Sequence, residues 1–295
     1  MENKAFKYHK IALWVIFIMS SAAISFPTKG ANEFTFLAFL VSAAIMLLLW
    51  FVLNVFCDYL NDLINKKAIK FLIMLLLILV AVYTAFLGAD TFKETIIFIS
   101  QVILPKTKRW IIVLIFGGIV AYCAFKGQKC LMKLALICSI VAVSAVLFFF
   151  FASLENYTLN NIFIFKFPPL KELFSQMKPY LQRFIFPIII LLAFSRLNLK
   201  EKGRAVGLAR LIIAVLITAF CILMPLLLFG TKLSGRLDFP FISAVSTITV
   251  GSLFTRLDGF AYFVLFISSL LKIVVCILVE YVLLKELNKI IKRTE

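Results

Sequence analysis

A lysine inside an apolar stretch is the residue of this sequence that is best suited to chemistry. Lys272 lies fourteen residues beyond Asp258, within a long apolar run. At ~1.5 Å of rise per helical residue this position is near the midplane of a bilayer, where a lysine costs at least ~2.5 kcal/mol. We therefore expect a bundle-facing ammonium that bonds unwound backbone carbonyls or a ligand carboxylate. The stretch Phe239–Lys272 is the first functional candidate.

Arg256 and Asp258 stand at the start of the same apolar run. Residues two apart do not face each other on a helix, so the pair is predicted to straddle the helix start, with Asp258 near the N-terminus. A structural role at the helix start and a role as a gate or docking point both remain open. Glu280 follows Lys272 by eight residues, or ~12 Å along a helix, which is too far for direct pairing.

The composition places these residues in a membrane. The chain is 63% hydrophobic with a mean hydropathy of +1.08, and its apolar residues fall in runs long enough to cross ~30 Å of hydrocarbon. We predict an all-α polytopic membrane protein, with residues 1–295 as a single integral membrane domain. About eight transmembrane helices are expected: Ile11–Phe26, Phe34–Cys57, Phe71–Ala89, Trp110–Phe125, Leu134–Ser153, Phe184–Leu197, Leu211–Gly230 and Gly259–Leu284.

The net charge of +17 is explained by membrane topology and does not indicate a nucleic-acid partner. The basic residues lie mostly in short loops between apolar runs, with no basic face or stripe. With the N-terminus inside, the cytoplasmic segments hold 18 of the 31 lysines and arginines. This excess of basic residues on the cytoplasmic side agrees with the positive-inside rule. We expect both termini in the cytoplasm and the lipid bilayer as the surrounding partner.

Two further helical pieces are predicted outside the spans. Thr91–Leu104 continues the third span as an amphipathic helix that ends at Leu104-Pro105. Thr231–Leu257 contains a short helix or re-entrant piece, because its apolar residues follow helical spacing.

Catalysis and metal binding find no support in the sequence. The one histidine, His9, lies in the N-terminal tail, and no metalloprotease, serine-hydrolase or phosphate-loop motif is present. The six cysteines form no CxxC pair and lie in or beside apolar runs. We expect no enzyme activity, no cofactor and no metal site.

Two of the predicted spans carry helix breakers at matching positions. The first contains Ser20, Ser21 and Ala22 before Pro27, and the sixth contains Phe184 to Pro187. Interrupted helices in two inverted halves point to a transporter-type site near the midplane. The alternative is that the small residues serve close packing and the proline is a simple kink.

Aromatic side chains complete the candidate site. Tyr83, Phe86 and Tyr262 are placed to flank a small ligand, although packing or lipid contact is the alternative for each. The candidate ligand-binding residues are Ser20, Ser21, Ala22, Tyr83, Phe184, Pro187, Tyr262 and Lys272, with Arg256 and Asp258 as a structural or gating motif.

Several of these motifs together resemble one family. They are Phe239-Pro240, Gly251, Arg256-Leu-Asp258 and Lys272, Leu104-Pro105-Lys106-Thr107, Tyr122 with Gly127, and the small-residue break of Ser20–Pro27. In this order and spacing they are similar to the B subunit of endospore germinant receptors, the GerAB-type spore germination proteins, within the amino acid/polyamine/organocation transporter superfamily.

The resemblance implies an inverted-repeat (LeuT-like) transporter fold with broken first and sixth helices. We expect that fold to be truncated, because the resemblance implies about ten spans and eight are predicted in this sequence. It also implies a sensor of a small amino-acid-like nutrient that triggers spore germination. The implied partners are an A-type membrane subunit and a C-type lipoprotein in the spore inner membrane. An amino-acid permease and a scaffold subunit that binds no ligand are the alternatives.

Overall fold

The computed structural model describes residues 34–63, 67–158, 169–178, 180–181, 203–248 and 258–292. Every regular element within these ranges is helical, which confirms the all-α class. The α-helices are α1 (Thr35–Leu63), α2 (Lys67–Phe98), α3 (Arg109–Phe125), α4 (Gly127–Ala152), α5 (Gly203–Ser234), α6 (Pro240–Ser246) and α7 (Asp258–Lys292). Residues 170–178 are also helical.

Helix α7 is the centre of the described bundle. It packs against α2 most extensively and also against α3, α4 and α6. All of residues 268–276 are buried, so this part of α7 has no lipid-facing or water-facing side. A helix that is apolar around its whole circumference is expected to lie inside a bundle, and residues 268–276 meet that condition apart from Ser268, Ser269 and Lys272.

Helices α2 and α7 meet along a stripe of mostly small side chains. On α2 the buried residues Thr84, Gly88, Thr91 and Thr95 recur at alternating intervals of four and three, which places them on one face. On α7 the matching residues Ser268, Lys272, Cys276 and Val279 are also buried. We call these eight residues the α2–α7 seam.

The two helices are closest at Gly88. A Cβ atom added there would lie only 3.2 Å from Cys276 Cβ. Glycine therefore lets the two backbones approach closely, as small residues do between membrane helices.

The far end of α2 changes its helical winding before the chain turns. Residues Ile99–Ile103 form a π-turn, in which Leu104 N–H donates to Ile99 O at 2.7 Å. Pro105 follows, and α3 begins at Arg109. The predicted helical continuation of the third span to the Leu104-Pro105 stop is confirmed. The short helix predicted within Thr231–Leu257 is α6, which has Pro240 in its first turn, where a missing N–H costs nothing.

Helix α5 is broken near its end. Pro225 cannot donate to the carbonyl of Cys221, and Gly230 adopts φ 71° and ψ 171°, a conformation that favours glycine. The carbonyl of Leu227 instead accepts hydrogen bonds from the backbone N–H of Thr158 at 3.3 Å and from its hydroxyl at 3.1 Å. The loop after α4 is thus fastened to the broken part of α5.

Six of the eight predicted spans fall on described residues, and each coincides with one of the helices α1 to α5 and α7. The stretches Ile11–Phe26 and Phe184–Leu197 lie outside the described residues. In the described part of the chain, two stretches are long and apolar enough to cross a membrane, Val215–Ser234 and Asp258–Lys285. The total of eight spans and the inverted repeat therefore stay predictions.

The close approach at Gly88 gives a stability prediction. Gly88→Val adds a branched side chain where a single Cβ already meets Cys276 at 3.2 Å, so α2 and α7 must separate. We expect a loss of about 1–3 kcal/mol in the free energy of unfolding, seen as a lower thermal unfolding midpoint in detergent.

Gly118→Val on α3 is the matched control. A Cβ atom at Gly118 meets nothing within 4 Å, and valine is slightly better than glycine in a helix, so no loss is expected. Equal midpoints for the two variants would mean that the α2–α7 contact is not tight.

Candidate functional site

Lys272 lies at the middle of α7 and is buried. Its side chain is 4% exposed. It stands fourteen residues from Asp258 and thirteen from Lys285, the two ends of the candidate span, which is ~20 Å from either end. A lysine side chain cannot reach water over that distance by extending along the helix. The ammonium group must therefore be accommodated within the bundle, as the sequence predicted.

Buried residues with hydroxyl groups lie near the level of this lysine on both α2 and α7. Cys276 lies one turn after Lys272 and contacts α2 at Gly88, so Lys272 stands level with about residues 91 and 92 of α2. Thr91 and Thr95 are 3% and 0% exposed. Ser268 and Ser269 lie one turn before Lys272 on α7, and both are buried.

These hydroxyl groups all donate to a carbonyl of their own helix, and this leaves their oxygen lone pairs as acceptors. The bonds are Thr91 to Leu87 O at 2.8 Å, Thr95 to Thr91 O at 2.7 Å, Ser268 to Val264 O at 2.7 Å and Ser269 to Leu265 O at 3.1 Å. An ammonium has three donor hydrogens and no acceptor. The seam is therefore chemically suited to a cation.

An aromatic cluster closes the seam at the start of α7. Phe98 is completely buried and lies edge-on to Phe239 and to Tyr262, with ring centroids 5.2 and 5.9 Å apart. The hydroxyl of Tyr262 donates to Asp258 Oδ2 at 3.4 Å. Phe98 thus joins the end of α2, the residue before α6 and the second turn of α7. Asp258 occupies the first turn of α7, as predicted.

The structure does not bring Tyr83 and Tyr262 together. Tyr262 contacts Phe98, which lies fifteen residues, or ~22 Å, beyond Tyr83 along α2. Lys272 lies between these two levels. The two tyrosines therefore stand on opposite sides of the lysine along the seam, and Phe86, whose side chain is 67% exposed, lies on the uncovered face of α2.

Several predicted site residues lie outside the described residues, namely Ser20, Ser21, Ala22, Phe184, Pro187 and Arg256. The structure adds residues that the sequence analysis missed. Gly88 could have been found from the spacing of small residues on α2, because a four-three repeat of Thr and Gly indicates a close helix contact. Phe98 could not be singled out from the sequence, because it is one of 33 phenylalanines.

The chemistry of the seam is suited to recognition. A buried ammonium group donates charge-assisted hydrogen bonds of the kind that bind an anion such as a carboxylate. Within the described residues, no cluster of three or more His, Cys, Asp or Glu side chains could hold a metal ion.

The fold and the seam are those of a helical membrane protein, and comparison with known proteins identifies its family. The model of the spore permease family, described as spore germination protein, matches residues 7–294. The chain belongs to this family, which confirms the resemblance drawn from its motifs. It is a germination-related, permease-like membrane protein. No curated protein and no solved structure matches it at a significant level.

The aromatic cluster gives a second stability prediction. Phe98→Ala removes a fully buried ring that packs on two others, and we expect a loss of about 3–5 kcal/mol in the free energy of unfolding. Phe86→Ala is the control, because it truncates an exposed ring on the same helix. If the two variants unfold at the same temperature in detergent, Phe98 does not join α2 to α6 and α7.

Proposed function

We propose that this chain is the membrane subunit of a spore germinant receptor that senses a small, amino-acid-like nutrient and triggers germination. Membership of the spore germination protein family supports the process. The observation that carries the proposal is the burial of Lys272, 4% exposed, at the middle of α7. A charge at that depth is usually functional, because an apolar residue at the same position would cost less free energy.

The proposed role of Lys272 is to attract the carboxylate of the nutrient. An amino acid carries a carboxylate of the size that an ammonium binds through charge-assisted hydrogen bonds. Binding shifts a conformational equilibrium only when the ligand prefers one of two states. A carboxylate bound to Lys272 offsets the charge of the ammonium, so the α2–α7 seam closes more tightly and the ligand prefers this closed state.

The proposed setting is a receptor complex in the spore inner membrane, with both termini of this chain in the cytoplasm. An A-type membrane subunit and a C-type lipoprotein are the proposed partners. A subunit of this kind converts nutrient binding into a change that its partners transmit.

Replacement of Lys272 tests the proposed role. Spores that carry only Lys272→Met should need about ten- to a hundredfold more nutrient to germinate, because the variant lacks a charged hydrogen bond worth ~1.5–3 kcal/mol. The measurement is the loss of optical density of spores across a series of single amino acids. Lys272→Arg, which keeps the charge, should lose less.

Lys285→Met is the matched control, because Lys285 is exposed near the other end of α7. Removal of a buried charge destabilises a protein when it leaves a partner unpaired, so the two variants are compared in spores whose immunoblots show equal amounts of the protein. If the gene deletion leaves the response to every nutrient intact, the receptor role is wrong. If the gene deletion abolishes a nutrient response but Lys272→Met spores respond like wild type, the chain acts as a scaffold subunit.

An amino-acid permease is the second candidate function. The break of α5 at Pro225 and Gly230 favours it, because interrupted helices serve the moving parts of transporters. The purified chain in proteoliposomes with an ion gradient would then accumulate a labelled amino acid. Ligand binding without flux supports the receptor, and flux that Lys272→Met abolishes supports the permease.

A further inference from the structure

Helix α3 is a peripheral helix whose apolar length is shorter than a bilayer. It comprises 17 residues, Arg109–Phe125, and the apolar part begins at Trp110. Sixteen residues span ~24 Å, against ~30 Å for the hydrocarbon core of a typical bilayer. Charged residues limit the apolar part at both ends, with Lys108 and Arg109 before it and Lys126 after it.

One side of α3 is held in the bundle along three turns. Ile112, Phe116 and Val120 are buried in the same core cluster as residues of α2 and α7. Phe116 lies 5.4 Å from Phe92 of α2 and 5.3 Å from Phe266 of α7, measured between ring centroids. Helix α3 therefore runs beside the candidate span of α7 and cannot shift along it without breaking these contacts.

The opposite side of α3 is uncovered over its whole length. The exposed fractions are 60% at Trp110, 65% at Leu114 and 90% at Phe125. The charged groups at both ends are exposed as well, and the ammonium of Lys126 lies 5.3 Å from the centroid of the Tyr122 ring. An apolar surface with an aromatic residue and basic residues at each end is typical of a lipid-facing helix with two interfacial anchors.

We propose that α3 binds a locally thinned annulus of lipid, so that the stability of this protein depends on bilayer thickness through the distance between the anchors of α3. The apolar surface is ~6 Å too short for a bilayer of ordinary thickness. Tilting makes such a deficit larger, so the lipid has to thin or the basic side chains have to extend outward. The bundle contacts of Phe116 hold the helix at fixed depth.

The test is the apparent thermal unfolding midpoint of the full-length protein, followed by circular dichroism at one scan rate. The lipids form a series of increasing thickness: dimyristoleoyl, dipalmitoleoyl, dioleoyl and dierucoyl phosphatidylcholine. Lys108→Leu with Arg109→Leu extends the apolar part by two residues, or ~3 Å. This variant should unfold roughly 5 °C above wild type in dierucoyl vesicles and at the wild-type temperature in dimyristoleoyl vesicles.

Lys108→Gln with Arg109→Gln is the matched control, because it removes the same two charges and keeps the polar boundary. It should follow wild type in all four lipids. If the leucine variant gains equally in every lipid, its effect is helix propensity and the proposal is wrong. A gain of the glutamine variant equal to that of the leucine variant would trace the effect to charge, and unchanged curves for both would mean that α3 does not sense thickness. Each of these outcomes overturns the proposal.

Discussion

A positive charge ~20 Å from either end of the candidate span, on a part of α7 that is buried on every side, constrains all the helices around it. Lys272 requires polar atoms at a depth where water is scarce, and the neighbouring helix must come close enough to supply them. Gly88 allows the approach, and the nearby threonine and serine hydroxyls donate their protons to helix carbonyls, so that their oxygens remain acceptors. Helices α3, α4 and α6 also pack against α7.

The seam has one end that is closed by large rings. Phe98 is in contact with Phe239 and Tyr262, so α2 cannot separate from α7 there without disturbing the residue that precedes α6. The π-turn that starts at Ile99 is a place where a helix can change its winding, and such turns are frequent at functional sites. A change around Lys272 therefore has a direct structural route to α6.

Much of this could be predicted from the sequence, and the physical reasons differ from residue to residue. Lys272 was recognisable because a charge in an apolar run is costly wherever the run is placed. Asp258 and the stop at Pro105 were recognisable because helix ends follow local rules. The levels of Tyr83 and Tyr262 along the seam were not, because the register of α2 against α7 depends on contacts distant in sequence.

The interruption of α5 shows another limit of local patterns. Gly230 marks the end of an apolar run and therefore suggested the end of a span, yet the chain resumes helical winding and continues to Ser234. Only its positive φ reveals the break, and backbone angles follow from the tertiary contacts of the surrounding turns. The two glycines serve different needs, since Gly88 is needed for space and Gly230 for its backbone conformation.

The bond between Thr158 and Leu227 has a mechanical consequence. A surface loop and an interior carbonyl are joined by two hydrogen bonds at the point where α5 is weakest, so tension on the loop acts on the break itself. A protein bound to the loop from outside the bilayer, at exposed Asn156 for instance, would transmit force to α5 through these two hydrogen bonds. About ten residues separate Gly230 from the start of α6 at Pro240, so force on the break reaches the aromatic end of the seam along a stretch of chain that does not include Lys272.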